Sequence, residues 1–324
     1  MSKRNSENPA PCSPGTAARL YESLLRIRRV EEEIARIYWS DKIKSPVHLS
    51  IGQEAVSVGV CDVVRGNDIV SPTYRGHAAY LAKGGDLRGM IAELFGKASG
   101  CAAGKGGSMH LIDADRQVVG TSAVVGTTIP VAVGHALAHR GTDRAVIAFF
   151  GDGATEEGVF YESVNFAALF KLSVLFVCEN NFFAIHTGQE RRWANNDLCG
   201  RVKAFGLPAH KIDSGDIFEI RDRANDCLTK LRAGEGPQFM ECMTYRWKEH
   251  VGPEEDFDAG YRSHEEIRPW MEADQVVRLA TIIDPETRQR VETKIEAEIK
   301  DAFEFAENDR FPGAEELKTH VFAD

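Results

Sequence analysis

Two short polar segments combine residue types that could hold a metal ion and a phosphate group. The first, Gly151-Asp-Gly-Ala-Thr-Glu-Glu-Gly158, follows the apolar run 145–150 and places Asp152 between two glycines. The second, Glu179-Asn-Asn-Phe-Phe183, follows the apolar run 173–178. Asp152 could be a turn residue, part of a phosphate loop, or a metal ligand. Both segments come where a predicted buried strand ends.

A carboxylate repels phosphate, so Asp152 suits a phosphate site only if a cation lies between the two groups. The backbone amides of Gly153 and Ala154 could then donate hydrogen bonds to phosphate oxygens at the start of the following helix. Magnesium prefers octahedral oxygen ligation, for which one carboxylate is not enough. Because neighbouring parallel strands end at the same crevice, the side-chain oxygen of Asn181 and the carbonyl oxygen of Phe183 can add ligands.

The glycine-rich segment 100–108 is a poor candidate for a nucleotide loop. A Walker loop has four residues between its glycines and a Ser or Thr after the lysine. Here three residues separate Gly100 from Gly104, and Gly106 follows Lys105. The Gly-Asp-Gly turn also lacks the third glycine of a dinucleotide-binding motif and brings a negative charge to the pyrophosphate. A flexible loop is the simpler interpretation of 100–108.

The elements that would position these residues alternate along the chain. The runs 145–150 and 173–178 predict buried strands, and the stretch between them, 158–170, predicts a helix. Strand, helix, strand in this order predicts parallel pairing with right-handed crossovers. We therefore expect an α/β fold with a doubly wound, mostly parallel sheet, to which 237–247 contributes a later strand.

Helical extensions are predicted at both ends of this sheet. Apolar residues three, four and seven positions apart mark one face of a long helix over 16–39, which Thr16 would cap. The heavily charged stretch 286–308 predicts a solvated outer helix. Residues 1–15 are polar and rich in Pro and Ser, which predicts a disordered tail. We expect residues 16–324 to form one domain.

Composition narrows the function classes. The 324 residues include 39 Lys and Arg against 49 Asp and Glu, and a net charge of −10 argues against a nucleic-acid surface. Seven scattered cysteines without a Cys-x-x-Cys pair suggest neither a disulfide framework nor a zinc site. The apolar runs fall short of the ~20 residues of a membrane-spanning helix, and the polar start does not resemble a signal peptide. We expect a cytoplasmic protein that binds neither nucleic acid nor membrane.

The spacing of Gly-Asp-Gly and Asn-Asn resembles the thiamine diphosphate fingerprint. Further segments resemble, in the same order, the alpha subunit of the thiamine-dependent 2-oxo acid dehydrogenases, the pyruvate and acetoin dehydrogenase group. They are His48-Leu-Ser-Ile-Gly-Gln-Glu54, Thr73-Tyr-Arg-Gly-His77, Gly104-Lys-Gly-Gly-Ser-Met-His110, Val125-Gly126 with Pro130, and Thr244-Tyr-Arg246. The resemblance runs from about residue 16 to 270. It implies the thiamine diphosphate-binding fold, with a domain of the diphosphate-binding type.

The resemblance also implies residue roles at the diphosphate end of the cofactor. Tyr74 and Arg75 would hold diphosphate oxygens, and Arg246 and His250 would approach the same end from a later loop. A diphosphate with one magnesium ion still carries negative charge, which the planar, protonated guanidinium of Arg suits. His250 is also a candidate catalytic residue.

Other implied roles lie nearer the reacting carbon. Backbone groups of Val125 and Ala123 would hydrogen-bond the aminopyrimidine ring. His48 would face the reacting carbon, where it could donate a proton or hydrogen-bond the substrate carbonyl. His77 and His110 could line the site or equally stabilise a loop.

The implied activity is decarboxylation of a 2-oxo acid and transfer of the acyl group to a lipoyl carrier. The implied cofactors are thiamine diphosphate, which acts as an electron sink, and magnesium. The cofactor also needs a glutamate at its pyrimidine ring, and in this enzyme class that glutamate belongs to a second domain. Because the length allows only one such domain, the resemblance implies a beta subunit in an α2β2 heterotetramer, with a lipoyl acyltransferase as a further partner. We expect no turnover from this chain alone.

Two other functions remain open at this point. A split transketolase-like or carboligating subunit would use the same cofactor with aldehyde acceptors. A cofactor-free scaffold would have no need of Asp152, Asn181 and Arg75 together.

Departures from the family pattern affect the choice of substrate and the regulation. The segment Ser45-Pro-Val-His48 lacks an aromatic residue common in the family. Glu249 and Val251 replace a common glycine and a phosphorylatable serine on either side of His250. We therefore expect no kinase control at that serine, and the particular 2-oxo acid stays open.

Overall fold

The computed structural model describes residues 13–322 of the chain. Its strands are β1 (Ile69–Ser71), β2 (Val146–Gly151), β3 (Val174–Asn180), β4 (Phe183–Ala184), β5 (Thr187–Gly188), β6 (Ala209–Ile212) and β7 (Gln238–Met243). Five of them form a parallel sheet in the order β1-β2-β3-β7-β6. The remaining two, β4 and β5, pair as a short antiparallel hairpin. The order departs from the chain order, so helices must cross over between strands.

The α-helices cover the sheet and extend it. They are α1 (Pro14–Ile37), α2 (Glu54–Cys61), α3 (His77–Ala82), α4 (Leu87–Leu94), α5 (Thr128–Ala138), α6 (Gly158–Phe170), α7 (Leu198–Lys203), α8 (Ile217–Arg232), α9 (His264–Glu272), α10 (Gln275–Ile282) and α11 (Pro285–Asn308). Among residues 13–322, no helix is both long and apolar enough to cross a membrane.

Alternation along the central strands explains why helices cover both faces of the sheet. In β2, Val146, Ala148 and Phe150 pack with α5, α6 and α7. Ile147 and Phe149 point the other way and pack with α2 and α8. Successive strand residues face opposite sides, so a strand that is apolar throughout must be buried on both. The predicted doubly wound parallel α/β sheet is confirmed.

The terminal helices pack on each other beside the sheet. The N-cap of α1 is Ser13, whose hydroxyl accepts from the backbone N–H of Thr16, so the helix begins earlier than the predicted cap at Thr16. The stretch 286–308 is not merely a solvated helix. Every fourth residue of α11 from Val291 through Ile295 to Ile299 is buried against α1 and α4. This spacing keeps one face apolar on an otherwise charged helix.

The remaining boundaries differ by a few residues from the predicted ones. Strand β3 continues two residues past 178 and includes Glu179 and Asn180, whereas β7 ends at Met243 instead of 247. Of the predicted tail 1–15, residues 1–12 lie outside the described residues, and residues 13–15 form the cap and first turn of α1. The six cysteines within residues 13–322 are free thiols.

Candidate functional site

A cavity of about 280 Å³ opens where β2 and β3 end. Residues predicted from five separate parts of the chain line it, as the meeting of parallel strand ends at one crevice requires. They are Tyr74, Arg75, Val125, Asp152, Gly153, Ala154, Asn181, Phe183 and His250. This cavity is the candidate functional site.

Asp152 lies at the turn that leaves β2. The chain continues as a 3-10 helix, Asp152–Glu156, before α6, so the amides of Gly153 and Ala154 belong to this turn and not to the start of α6. The side chain is 1% exposed, and burial raises the pKa of Asp152 against the opposing effect of Arg192. Its Oδ2 accepts from Arg192, whereas Oδ1 is buried without a hydrogen-bond partner among residues 13–322. A buried, unpaired carboxylate oxygen beside a cavity calls for a ligand.

The two asparagines after the predicted strand have different surroundings. Asn180 is the last residue of β3, and its Nδ2 donates to Glu241 Oε1 at 2.7 Å, which ties β3 to β7. Asn181 lines the cavity; its Nδ2 donates to Gln53 Oε1 at 2.8 Å, and its Oδ1 accepts from the N–H of Phe183 at 3.2 Å. The donation to Gln53 orients the amide, so its oxygen lies on the side of Phe183.

These residues fit a magnesium ion that is bound together with phosphate. Residues 13–322 contain no group of three or more His, Cys, Asp and Glu side chains arranged as a metal site. The predicted ligands include a single carboxylate, Asp152, with oxygens from Asn181 and Phe183. Magnesium is commonly held by one or two carboxylates plus phosphate oxygens and water, which matches such a sparse set. Within this set, Asp152 Oδ1 is the oxygen that has no hydrogen-bond partner among the described residues and could accept a cation.

Arg75 joins two segments beside the cavity. Its Nη1 donates to the carbonyl of Leu49 at 2.8 Å, and its Nη2 donates to the carbonyl of His250 at 3.0 Å. Burial lowers the pKa of Arg75, because a charged guanidinium loses hydration there. The neighbouring Tyr74 packs edge-on against His48, with 4.6 Å between ring centroids. Arg75 thus places a positive charge at the cavity and holds the loop that carries His250.

Both predicted catalytic histidines are neutral. Burial, reinforced by the charge of Arg75, lowers the pKa of His48 to about 2 and that of His250 to about 3. Their ring centroids are 5.1 Å apart. His250 lines the cavity, whereas His48 lies behind Tyr74 and His250 and is 7% exposed. Each imidazole can therefore donate one hydrogen bond and accept another.

Two predicted cofactor contacts lie off the cavity wall. Arg246 is 1% exposed, and its guanidinium donates to the carbonyls of Lys248 and Ile185 and to Tyr261 Oη, besides pairing with Asp256. It organises the loop around the site, and its contact with diphosphate stays a prediction.

Ala123 is exposed, and its neighbours Ser122 and Val124 line the cavity while it does not. Its backbone contact with the cofactor also stays a prediction.

His77 belongs to a buried network and does not line the cavity. Its Nε2 lies 2.8 Å from Ser108 Oγ, and its Nδ1 lies 3.1 Å from Glu31 Oε1. Serine, histidine and carboxylate in this order could form a nucleophile relay, but all three side chains are fully buried, away from any substrate. Glu31 also accepts from the N–H of Ser50, two residues after His48. The network therefore has a structural role behind the site.

The glycine-rich segment 100–108 wraps around a carboxylate of this chain. Glu93 is fully buried and accepts four backbone N–H groups, with N···O distances of 2.6 to 3.0 Å. The donors are Ala102, Gly104, Gly106 and Gly107. An internal anion thus takes the place that a nucleotide loop would offer to phosphate.

Two residues near this loop lie outside the site. Lys105 pairs with Glu316 near the C-terminal end, at 2.9 Å. His110, considered as a site residue from the sequence, is exposed and does not line the cavity.

Three residues at the site were not predicted. Gln53, which orients Asn181, lies inside the segment 48–54, so its motif was a usable signal. Glu179 lines the cavity, and burial raises its pKa to about 7, against the opposing charge of Arg75. Arg192 pairs with Asp152 across 40 residues, a contact that no local pattern indicates.

The mouth of the cavity carries exposed apolar residues. Val124 is 62% exposed and Ile185 is 56% exposed, and both line the cavity. Val125, beside them, and Val251, next to His250, are exposed as well. An exposed apolar rim around a cavity is typical of a surface that another protein covers.

Comparison with known proteins gives one consistent result. The family model described as "Dehydrogenase E1 component" matches residues 22–315. The chloroplastic pyruvate dehydrogenase E1 component subunit alpha-3 of Arabidopsis thaliana is 36% identical over 316 residues, which span 94% of this chain and 74% of that protein. Subunit alpha of the acetoin:2,6-dichlorophenolindophenol oxidoreductase of Bacillus subtilis is 35% identical over 309 residues, 94% and 92% of the two chains. The pyruvate dehydrogenase E1 component subunit alpha of Zymomonas mobilis is 37% identical over 310 residues, 93% and 87% of the two chains.

Proposed function

The chain belongs to the dehydrogenase E1 component family, and on that premise we propose how its residues serve the reaction. It is the alpha subunit of a thiamine diphosphate-dependent 2-oxo acid dehydrogenase of the pyruvate or acetoin type. The observation that best supports placing this activity at the cavity is the Asp152 carboxylate, which is buried at the end of β2 with one oxygen unpaired within residues 13–322.

Magnesium would be held by Asp152, Asn181 and the carbonyl of Phe183, together with diphosphate oxygens. The amides of Gly153 and Ala154 would donate to the same diphosphate. What supports this assignment is that all five residues line one cavity and that Asp152 Oδ1 has no other partner among the described residues. A divalent ion there removes the cost of the unpaired buried oxygen and the repulsion between carboxylate and phosphate.

Positive charge and neutral donors would complete the site. Arg75 and Tyr74 would hold the diphosphate, and Arg246 would support them from the loop that it organises. When bound, thiamine diphosphate supplies the electron sink that takes up the electron pair as carbon dioxide leaves the 2-oxo acid. His48 and His250 are neutral, so each would act on substrate oxygen or a nearby proton through an imidazole N–H or lone pair.

The second half of the active site would come from a beta subunit. Alpha subunits of this family are expected to pair with one, and we propose an α2β2 heterotetramer whose beta subunit carries the pyrimidine-activating glutamate. The exposed apolar rim with Val124 and Val125 supports this pairing. We propose that backbone groups of Val125 and Ala123 hydrogen-bond the aminopyrimidine ring. We propose a lipoyl acyltransferase as the component that accepts the acyl group. A cytoplasmic location is also proposed; the free thiols support it, and cell fractionation would test it.

Reconstitution with a beta subunit tests the proposal. The chain, the beta chain alone and the two together are assayed for carbon dioxide release from a panel of 2-oxo acids and for acetoin oxidation, with thiamine diphosphate and Mg²⁺ present. We expect turnover only from the mixture, with transfer of the acyl group to a lipoyl domain. Full decarboxylation by this chain alone would contradict the shared site. Ketol transfer to aldehydes without lipoyl transfer would instead favour the transketolase-like alternative.

A further inference from the structure

Arg192 bridges the turn that carries Asp152 and the β4–β5 hairpin. Its guanidinium pairs with Asp152 Oδ2 through Nη2 and with Glu156 Oε1 through Nη1, while Nε donates to the carbonyl of Thr187 at 3.0 Å. The side chain is 7% exposed. Trp193 Nε1 donates to the same Glu156 oxygen at 3.0 Å. All three guanidinium nitrogens are therefore engaged, which fixes the group in one place.

The arrangement sets the orientation of the Asp152 carboxylate. A free Asp side chain can rotate and present either oxygen, but here Arg192 holds Oδ2. The other oxygen, Oδ1, remains buried and unpartnered among the described residues. Partners behind a metal-ligating carboxylate commonly fix its direction and affect metal affinity.

We propose that Arg192 is the positioning residue of the metal site: it holds Asp152 so that Oδ1 is presented to the divalent cation. This role rests on the magnesium and diphosphate site proposed above. It adds a residue from the loop after β5 that neither the Gly-Asp-Gly nor the Asn-Asn motif includes.

The opposite role would make Arg192 a cation that competes with the metal ion. Two observations favour positioning. Arg192 does not line the cavity, so its guanidinium leaves the cavity space free. It also pairs with only one oxygen of Asp152 and uses its other nitrogens on Glu156 and Thr187. A competing cation would instead be expected to take the oxygen that the metal needs.

Arg192→Met tests the proposal on the chain combined with its beta subunit. Isothermal titration with thiamine diphosphate at stepped Mg²⁺ concentrations gives the Mg²⁺ concentration for half-maximal binding. We expect Arg192→Met to raise this concentration about 10- to 100-fold, the usual effect of losing a partner behind a metal ligand. At saturating Mg²⁺, affinity for thiamine diphosphate should return towards that of the wild type, which general loosening of the loop would not allow.

Two further variants sharpen the comparison. Arg191→Met is the matched control, since Arg191 is exposed and pairs with no side chain in residues 13–322, and it should titrate like the wild type. Arg192→Lys keeps the charge without the planar fork, so its half-saturation should fall between those of the wild type and Arg192→Met. If Arg192→Met does not fold, as judged by circular dichroism, Arg192→Lys against Arg191→Lys carries the test.

The outcomes are distinct. An unchanged Mg²⁺ requirement in Arg192→Met overturns the positioning role. A lowered requirement also overturns it and identifies Arg192 as a competitor of the metal ion. The same criteria apply to Arg192→Lys if that variant carries the test. Wild-type protein that binds thiamine diphosphate without any dependence on Mg²⁺ overturns the metal site and this role together. Wild-type dependence with the expected rise in Arg192→Met supports both.

Discussion

His48 should make the folded protein lose stability in mild acid. Its pKa is about 2 in the folded protein and 6.5 in an unfolded chain, because burial and Arg75 disfavour the imidazolium. Below pH 6.5 the unfolded chain takes up a proton that the folded protein does not, so stability falls as the pH falls. Linkage gives a loss of about 2 kcal/mol between pH 7 and pH 5 from this one side chain.

Replacing His48 with Gln removes that contribution. The free energy of unfolding is measured in urea at pH 7 and at pH 5 for both proteins. The loss from pH 7 to pH 5 should be about 2 kcal/mol smaller in His48→Gln than in the wild type. Other groups titrate in the same range, but they are present in both proteins and cancel in the difference. His110→Gln, at an exposed histidine, is the control. Equal acid losses in His48→Gln and the wild type would refute the neutral, buried state of His48, and with it the proposed use of its uncharged imidazole.

Two further substitutions test the parts around the site. Glu93→Gln should lower the free energy of unfolding, measured by urea denaturation, by about 3 kcal/mol. The reason is that an amide cannot accept all four N–H groups that the carboxylate accepts. A loss below about 1 kcal/mol would contradict this. Gly153→Ala would place a new Cβ 2.9 Å from Ala184 Cβ, so calorimetry should show weaker thiamine diphosphate binding. The control is Gly158→Ala, whose new Cβ meets nothing within 4 Å and which should bind normally. Equal binding by both variants would argue against the close packing at Gly153.

Local patterns predicted the parts of the site that short-range physics determines. The apolar runs before Asp152 and Glu179 identify β2 and β3, and the rule that parallel strands end together brings Asp152 and Asn181 to one cavity. The buried face of α11 could also have been predicted, because the apolar residues Val291, Ile295 and Ile299 recur every four residues. The many charged residues of this helix instead favoured the prediction of a solvated helix.

Other contacts could not be read from the sequence because they join residues far apart in the chain. Glu31 meets His77 across 46 residues, and Arg192 meets Asp152 across 40. Nothing in the composition around Glu93 indicates that its carboxylate will fill the glycine-rich loop. Such pairings depend on how the helices pack and become apparent only in the folded structure.

The most direct test of the site is the binding of thiamine diphosphate to Asp152→Asn. The substitution keeps the shape of the side chain and an oxygen but removes the negative charge that magnesium needs. With the beta subunit present, calorimetry with and without Mg²⁺ should show Mg²⁺-dependent binding of thiamine diphosphate in the wild type and none in Asp152→Asn, while circular dichroism shows the same fold. Unchanged Mg²⁺-dependent affinity in Asp152→Asn would contradict the assignment of Asp152 as the metal ligand of this active site.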